Sequence, residues 1–145
     1  MNKFIAPKKV FLSVCKNDKD PCAKYAAEEI IRLLTKTGLS INRVYHTHTK
    51  KMHYISLGKT EKTILKPASV SKIKYDGYTL KIKKSGVSIS AERSKGFLNG
   101  VYDLAARLGF LFLLPGQDGE WAPGRENIKT LKTGTFHVNP LFPFR

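Results

Sequence analysis

The sequence predicts an α+β domain: a mixed, largely antiparallel β-sheet with two α-helices packed on one face. Three observations carry this. Segments 22–37 and 96–108 repeat apolar residues at the helical period. Several short segments alternate apolar and polar side chains at the period of a strand, most clearly 78–83 and 87–92 around the turn Ser85-Gly86. The elements run β-α-β-β-β-β-α-β with room for more β at the end, all within 145 residues, the size of one domain.

Val10 to Val14 reads as a short buried strand, and KNDKDP after it as a loop. Asp20 is placed to cap the first helix, with Pro21 at its first position, where a missing N–H costs nothing. Ala23, Ala26, Ala27, Ile30, Ile31, Leu33 and Leu34 then fall within an arc of about 160°, opposite Lys24, Glu28, Arg32 and Lys36. Gly38 ends that helix. Ile41 to His46 and His53 to Leu57 read as strands joined by the polar, hairpin-like stretch THTKKM, and Pro67 argues against a helix across 58–71. Tyr78, Leu80 and Ile82 alternate with Thr79, Lys81 and Lys83, and Val87, Ile89 and Ala91 with Ser88, Ser90 and Glu92. Such strands are expected to pack helices on one face and show the other to water.

The second helix, Gly96 to Leu108, carries apolar residues over about 200°, wider than the stripe a helix on one sheet needs. That width predicts a flank that a neighbour outside this chain must cover. Gly109 ends the helix, Phe110 to Leu114 reads as a strand, PGQDGEWAPG as a loop, and Ile128 to Val138 as one or two more strands.

Charge is the compositional outlier. Lys and Arg total 26, Asp and Glu 11, and the formal net charge is +15. An excess of this size favours anionic partners. The basic residues are scattered and no recognition motif accompanies them, so nucleic acid is not the favoured partner. No apolar run approaches the roughly 18 residues of a membrane helix. Cys15 and Cys22 flank the early loop and could bridge only if it folds back on itself.

Motifs for chemistry are sparse. His46, His48 and His53 lack the carboxylate and spacing of a zinc site. There is no G-x-S-x-G elbow and no phosphate-binding glycine loop. Glu28 and Glu29 fall on the polar side of the first helix, where solvated acids are usual. Asp118 and Glu120 lie close together in a glycine-rich loop, and Trp121 beside them is the sole tryptophan. No catalytic residue, metal or cofactor is expected. Gln117, Glu120 and Trp121 are the candidate substrate-binding residues, on the ground that binding residues concentrate in loops.

The segment Asp76 to Pro123 resembles the N-terminal domain that precedes the catalytic barrel in certain glycoside hydrolases, most nearly the alpha-glucuronidase type. Related domains precede the barrels of family 20 hexosaminidases. The resemblance rests on Asp76-Gly77-Tyr78, the glycine-led helix Gly96 to Gly109, Pro115-Gly116, Gly119-Glu120 and Pro123, in that order. The early helix AKYAAEEIIRLLTKTG, the strand ISLG and the tail NPLFPFR extend it over Ala23 to Arg145. It departs at Leu111-Phe112-Leu113, where relatives carry an Arg-Trp-Phe-like run.

The resemblance implies a hexosaminidase domain 2-like fold over residues 1–138, with 139–145 leading into a (β/α)8 barrel of the same parent chain. It implies a non-catalytic accessory role in a secreted, extracellular or periplasmic polysaccharide-degrading enzyme, with the catalytic groups in the barrel. Polysaccharide is then a candidate ligand and the membrane is not a partner. Two other expectations stand beside it: an independent module for acidic glycans, resting on Lys81 and Lys83, and a basic nucleic-acid-binding domain.

Overall fold

A computed structural model describes residues 3–15, 19–46, 53–58 and 73–140. Its centre is a six-stranded sheet built from β2 (Lys9–Cys15), β3 (Ser40–His46), β4 (His53–Gly58), β5 (Tyr78–Lys83), β6 (Gly86–Ala91) and β10 (Gly134–Val138). The order across the sheet is β10-β5-β6-β4-β2-β3, so β2 lies between β3 and β4, and these two strands do not pair as the hairpin expected from the sequence. Only β2 and β3 are parallel, because α1 (Pro21–Lys36) carries the chain back between them; every other pair is antiparallel. α2 (Ser94–Leu108) follows β6. The α+β architecture read from the sequence is the one observed.

The helices end where local chemistry dictates. The Asp20 carboxylate accepts from the Cys22 N–H at 2.8 Å and the Ala23 N–H at 3.4 Å, satisfying two of α1's orphan donors. Gly38 follows α1 with φ 78° and Gly109 caps α2 with φ 109°, left-handed positions that suit glycine. Cys22, beside the Asp20 cap, is a free thiol.

Alternation and register agree. Leu12, Leu57, Val87 and Ile82 form one row across the sheet, and Val14, Ile55, Ile89, Leu80 and Phe136 the next. Ile30, Leu33, Phe97, Val101 and Leu104 from the two helices are buried above these rows in one continuous core. α2 starts two residues before the predicted Gly96, and its N-terminal turn sits on the 74–77 turn. A Cβ on Gly96 would strike the Gly77 and Asp76 carbonyl oxygens. That turn is tied down from both sides: the Asn139 side-chain oxygen accepts from the Lys74 N–H at 2.8 Å, and the Asn99 amide donates to the Asp76 carbonyl at 3.3 Å. Tyr75 sits in it with φ 53°.

Two expectations are overturned. The wide apolar flank of α2 needs no outside neighbour: Val101, Leu104 and Ala105 are fully buried, and Leu98 and Tyr102 are half-buried against the core. α1 takes one side of the arc. The segment after α2 folds back over the other, with Phe112 edge-on to the Tyr102 ring at 5.2 Å. The second face of the sheet is not open either. Ser13, Ser56, Thr79, Ser88 and Ser90 are all at most 8% exposed. Alternation reports which face a residue is on, and it does not report whether that face is covered. Thr79 Oγ1 lies 3.0 Å from His137 Nδ1 on the neighbouring strand. Lys81 on that face is half-buried, and Lys83 is exposed.

Two short ribbons complete the described part of the domain. β1 (Lys3–Phe4) pairs with β9 (Leu131–Lys132), and β7 (Leu111–Phe112) pairs with β8 (Glu120–Trp121). The polar connection at 47–52, His48 within it, and the turn-rich stretch at 59–72 lie outside the described residues.

Candidate functional site

Sequence spacing on α1 sets up the site. Glu29, Arg32 and Lys36 follow at three and four residues, so they share one stripe of the helix. Tyr102 stands on α2 where the helices pack together. The third wall is the ribbon β7–β8, whose turn is built on glycines. Gly116 has φ 91°, and Gly119 is buried so close to the Leu114 backbone that no Cβ fits. The Leu113 N–H donates to the Gly119 carbonyl at 2.8 Å and closes the turn.

The ribbon's register decides which side chains look inward. Phe112 is opposite Glu120, and Leu111 is opposite Trp121. Paired residues of an antiparallel ladder share a face, so Phe112 and Glu120 face the helices while Leu111 and Trp121 face away. Glu120 meets Arg32 as a two-pronged pair: Nη1 donates to Oε2 at 2.6 Å and Nη2 to Oε1 at 2.7 Å. Lys36 Nζ adds a third bond to Oε2 at 2.8 Å. Arg32 also donates to Glu29, from Nε at 2.9 Å and Nη2 at 2.5 Å, and the Tyr102 hydroxyl donates to Glu29 Oε1 at 2.8 Å. One guanidinium thus joins α1, and through Glu29 also α2, to the ribbon.

Each group titrates accordingly. Hydrogen bonds from Arg32 hold the Glu120 carboxyl down at about 2 against the opposing effect of burial, with Lys36 helping. The same guanidinium lowers Glu29, again against burial. Burial first, and the Glu29 carboxylate second, push the Tyr102 phenol up. Burial, then Asp103, do the same for Tyr78.

This arrangement is a clasp and not an acid–base pair. Arg32 Nη2 bonds to an oxygen of each carboxylate, so the two oxygens are at most about 5 Å apart, near the spacing of a retaining glycosidase pair. But a guanidinium fills the gap where a sugar would sit. Both carboxylates are held ionised, so neither can donate a proton at neutral pH. Among the described residues, no three His, Cys, Asp or Glu side chains are grouped to hold a metal.

Beside the clasp runs a groove with two ends. The polar end, of about 400 Å³, is lined by Tyr25, Glu28, Arg32, Gln117 and Glu120 among others. It adjoins, across the shared residues Tyr102, Gly116 and Glu120, an end of about 350 Å³ lined by Phe112, Leu114 and Pro115. Of the residues predicted for binding, Glu120 and Gln117 meet here. Trp121 does not: one step along a strand turns it to the opposite face. There it is 50% exposed, with Leu111 at 50% and Leu113 at 73%. Sequence reading missed Glu29, Arg32, Tyr102 and Tyr25. Glu29 is 4% exposed instead of solvated, and its signal was the three-residue spacing to Arg32.

No family model, no curated protein and no solved structure matches this chain.

Proposed function

We propose that this chain is a non-catalytic accessory domain of a secreted polysaccharide-degrading glycoside hydrolase, and that it docks on the catalytic (β/α)8 barrel of its parent chain. One observation carries the reading: the outward face of β7–β8 presents Leu111, Leu113 and Trp121 to solvent, while the clasp fixes the other face to the helices. Large apolar side chains held exposed on an ordered ribbon are the mark of an interaction site. Tryptophan is the residue type most often found at the energetic centre of one. The resemblance of the ordered segments from Asp76 to Pro123 supports a catalytic barrel as that partner. The surface that awaits a neighbour is then the ribbon after α2, and not α2 itself.

The experiment separates the two parts. The 145-residue chain and the barrel read from the gene beyond Arg145 are produced separately and titrated by calorimetry. We expect micromolar association or tighter. The pair Leu113→Glu and Trp121→Ser should weaken it at least tenfold while leaving the melting temperature of the domain in place. A gene without a barrel, or an association indifferent to both changes, would overturn the proposal.

A further inference from the structure

The groove beside the clasp is a different surface from the outward face of the ribbon, and its chemistry can be read by accounting for donors. Arg32 donates from Nε, Nη1 and Nη2 to Glu29 and Glu120, Lys36 donates to Glu120, and the Tyr102 hydroxyl donates to Glu29. Both cations of the clasp are thus already paired with carboxylates. What the polar end still presents is the carboxylate of Glu28, the amide of Gln117 and the half-exposed ring of Tyr25. Glu28 makes no ion pair among the described residues. Glu28, Glu29 and Glu120 against Arg32 and Lys36 leave the groove one negative charge, in a chain whose formal net charge is +15. A polyanion is therefore the wrong ligand here. The other end, with Phe112, Leu114 and Pro115, offers apolar contact that a bare cation cannot use.

We infer that the groove receives a guanidinium or ammonium side chain, together with an apolar neighbour, from the polypeptide that docks on this domain. That polypeptide's identity rests on the docking reading above; the chemistry of the groove does not. The cation lies against the Tyr25 ring and the Glu28 carboxylate, since aromatic faces and carboxylates both attract it. The apolar neighbour covers Phe112 and Leu114. Arg32 stays with its carboxylates and lines the polar end.

The test uses the 145-residue chain, labelled for amide NMR, with three probes: acetyl-Leu-Arg-Leu-amide, acetyl-Leu-Glu-Leu-amide and ethylguanidinium. The arginine peptide should shift the amides of Tyr25, Glu28 and Gln117 saturably. Glu28→Gln, an exposed change that leaves the clasp intact, should weaken that binding about tenfold, worth roughly 1.4 kcal/mol. Ethylguanidinium should bind at least tenfold more weakly than the peptide, and the glutamate peptide should leave these amides unmoved. The inference is overturned if the arginine peptide moves nothing in the groove, if the glutamate peptide moves it equally, or if Glu28→Gln changes nothing. Ethylguanidinium binding as well as the peptide would make this a site for a free cation and overturn the docking occupant. A responsive groove, with barrel association indifferent to Leu113→Glu and Trp121→Ser, would sink the docking reading alone.

Discussion

Glu120 shows how much one residue can organise. Its side chain is 9% exposed and bonds two cations from α1. Glu120→Gln keeps the shape but removes the charge, and should cost about 1–2 kcal/mol in urea unfolding at neutral pH. The pH dependence has a definite sign. The folded carboxyl titrates at about 2, against 4.5 for a free glutamate. A depressed carboxylate stabilises the folded state above the higher value and loses that contribution as pH falls towards the lower. The gap between the native chain and Glu120→Gln should therefore be constant above about pH 5 and close between about pH 4.5 and pH 2. A gap unchanged down to pH 2 would show that the clasp contributes through packing and not through charge. Little of this was legible in the sequence. Glu120 stood out in its loop, but its partner Arg32 lies 88 residues away. No local pattern reports a contact of that range, and a basic residue on a polar helix stripe looks solvated.

The long elements were legible, and two of the four shortest were not. Period and caps set α1 and α2 to within two residues, since both signals are local and repeat over several turns. β1 and β8 have two residues each, too short for any alternation to register, whereas β7 and β9 fall inside the predicted strand segments Phe110–Leu114 and Ile128–Val138. The missed β8 is what sent Trp121 to the wrong side. The join of α2 to the 74–77 turn is a feature of packing that only three dimensions reveal. In an open helix, Gly96→Ala would stabilise by up to about 1 kcal/mol. Here the new methyl meets two backbone carbonyl oxygens, and backbone cannot swing away as a side chain can. We expect a loss of about 1–3 kcal/mol instead, seen as a lower melting temperature. A gain would mean that the turn retreats from α2 at no cost.

At the scale of the whole molecule, a formal charge of +15 repels itself. Raising salt from about 0.01 M to about 1 M shortens the Debye length from about 30 Å to about 3 Å. This should raise the melting temperature by about 3 °C or more, because self-repulsion is screened while the part-buried clasp is screened less. A fall would put short-range ion pairs such as Asp103–Arg107 in charge of stability. Fold class was readable at this scale because two helices set among several short strands, with the β5–β6 hairpin between them, already specify an α+β domain. The strand order itself was not, since β10 crosses to pair with β5 over more than fifty residues of sequence. That crossing bears on how the protein is made. On the ribosome, β2 to β6 emerge and can assemble while β5 still lacks its outer partner. Until the closing strand arrives, a growing chain carries an open row of amides and carbonyls beside Leu80, and any interruption of synthesis in that interval releases a protein primed to stick to its own kind.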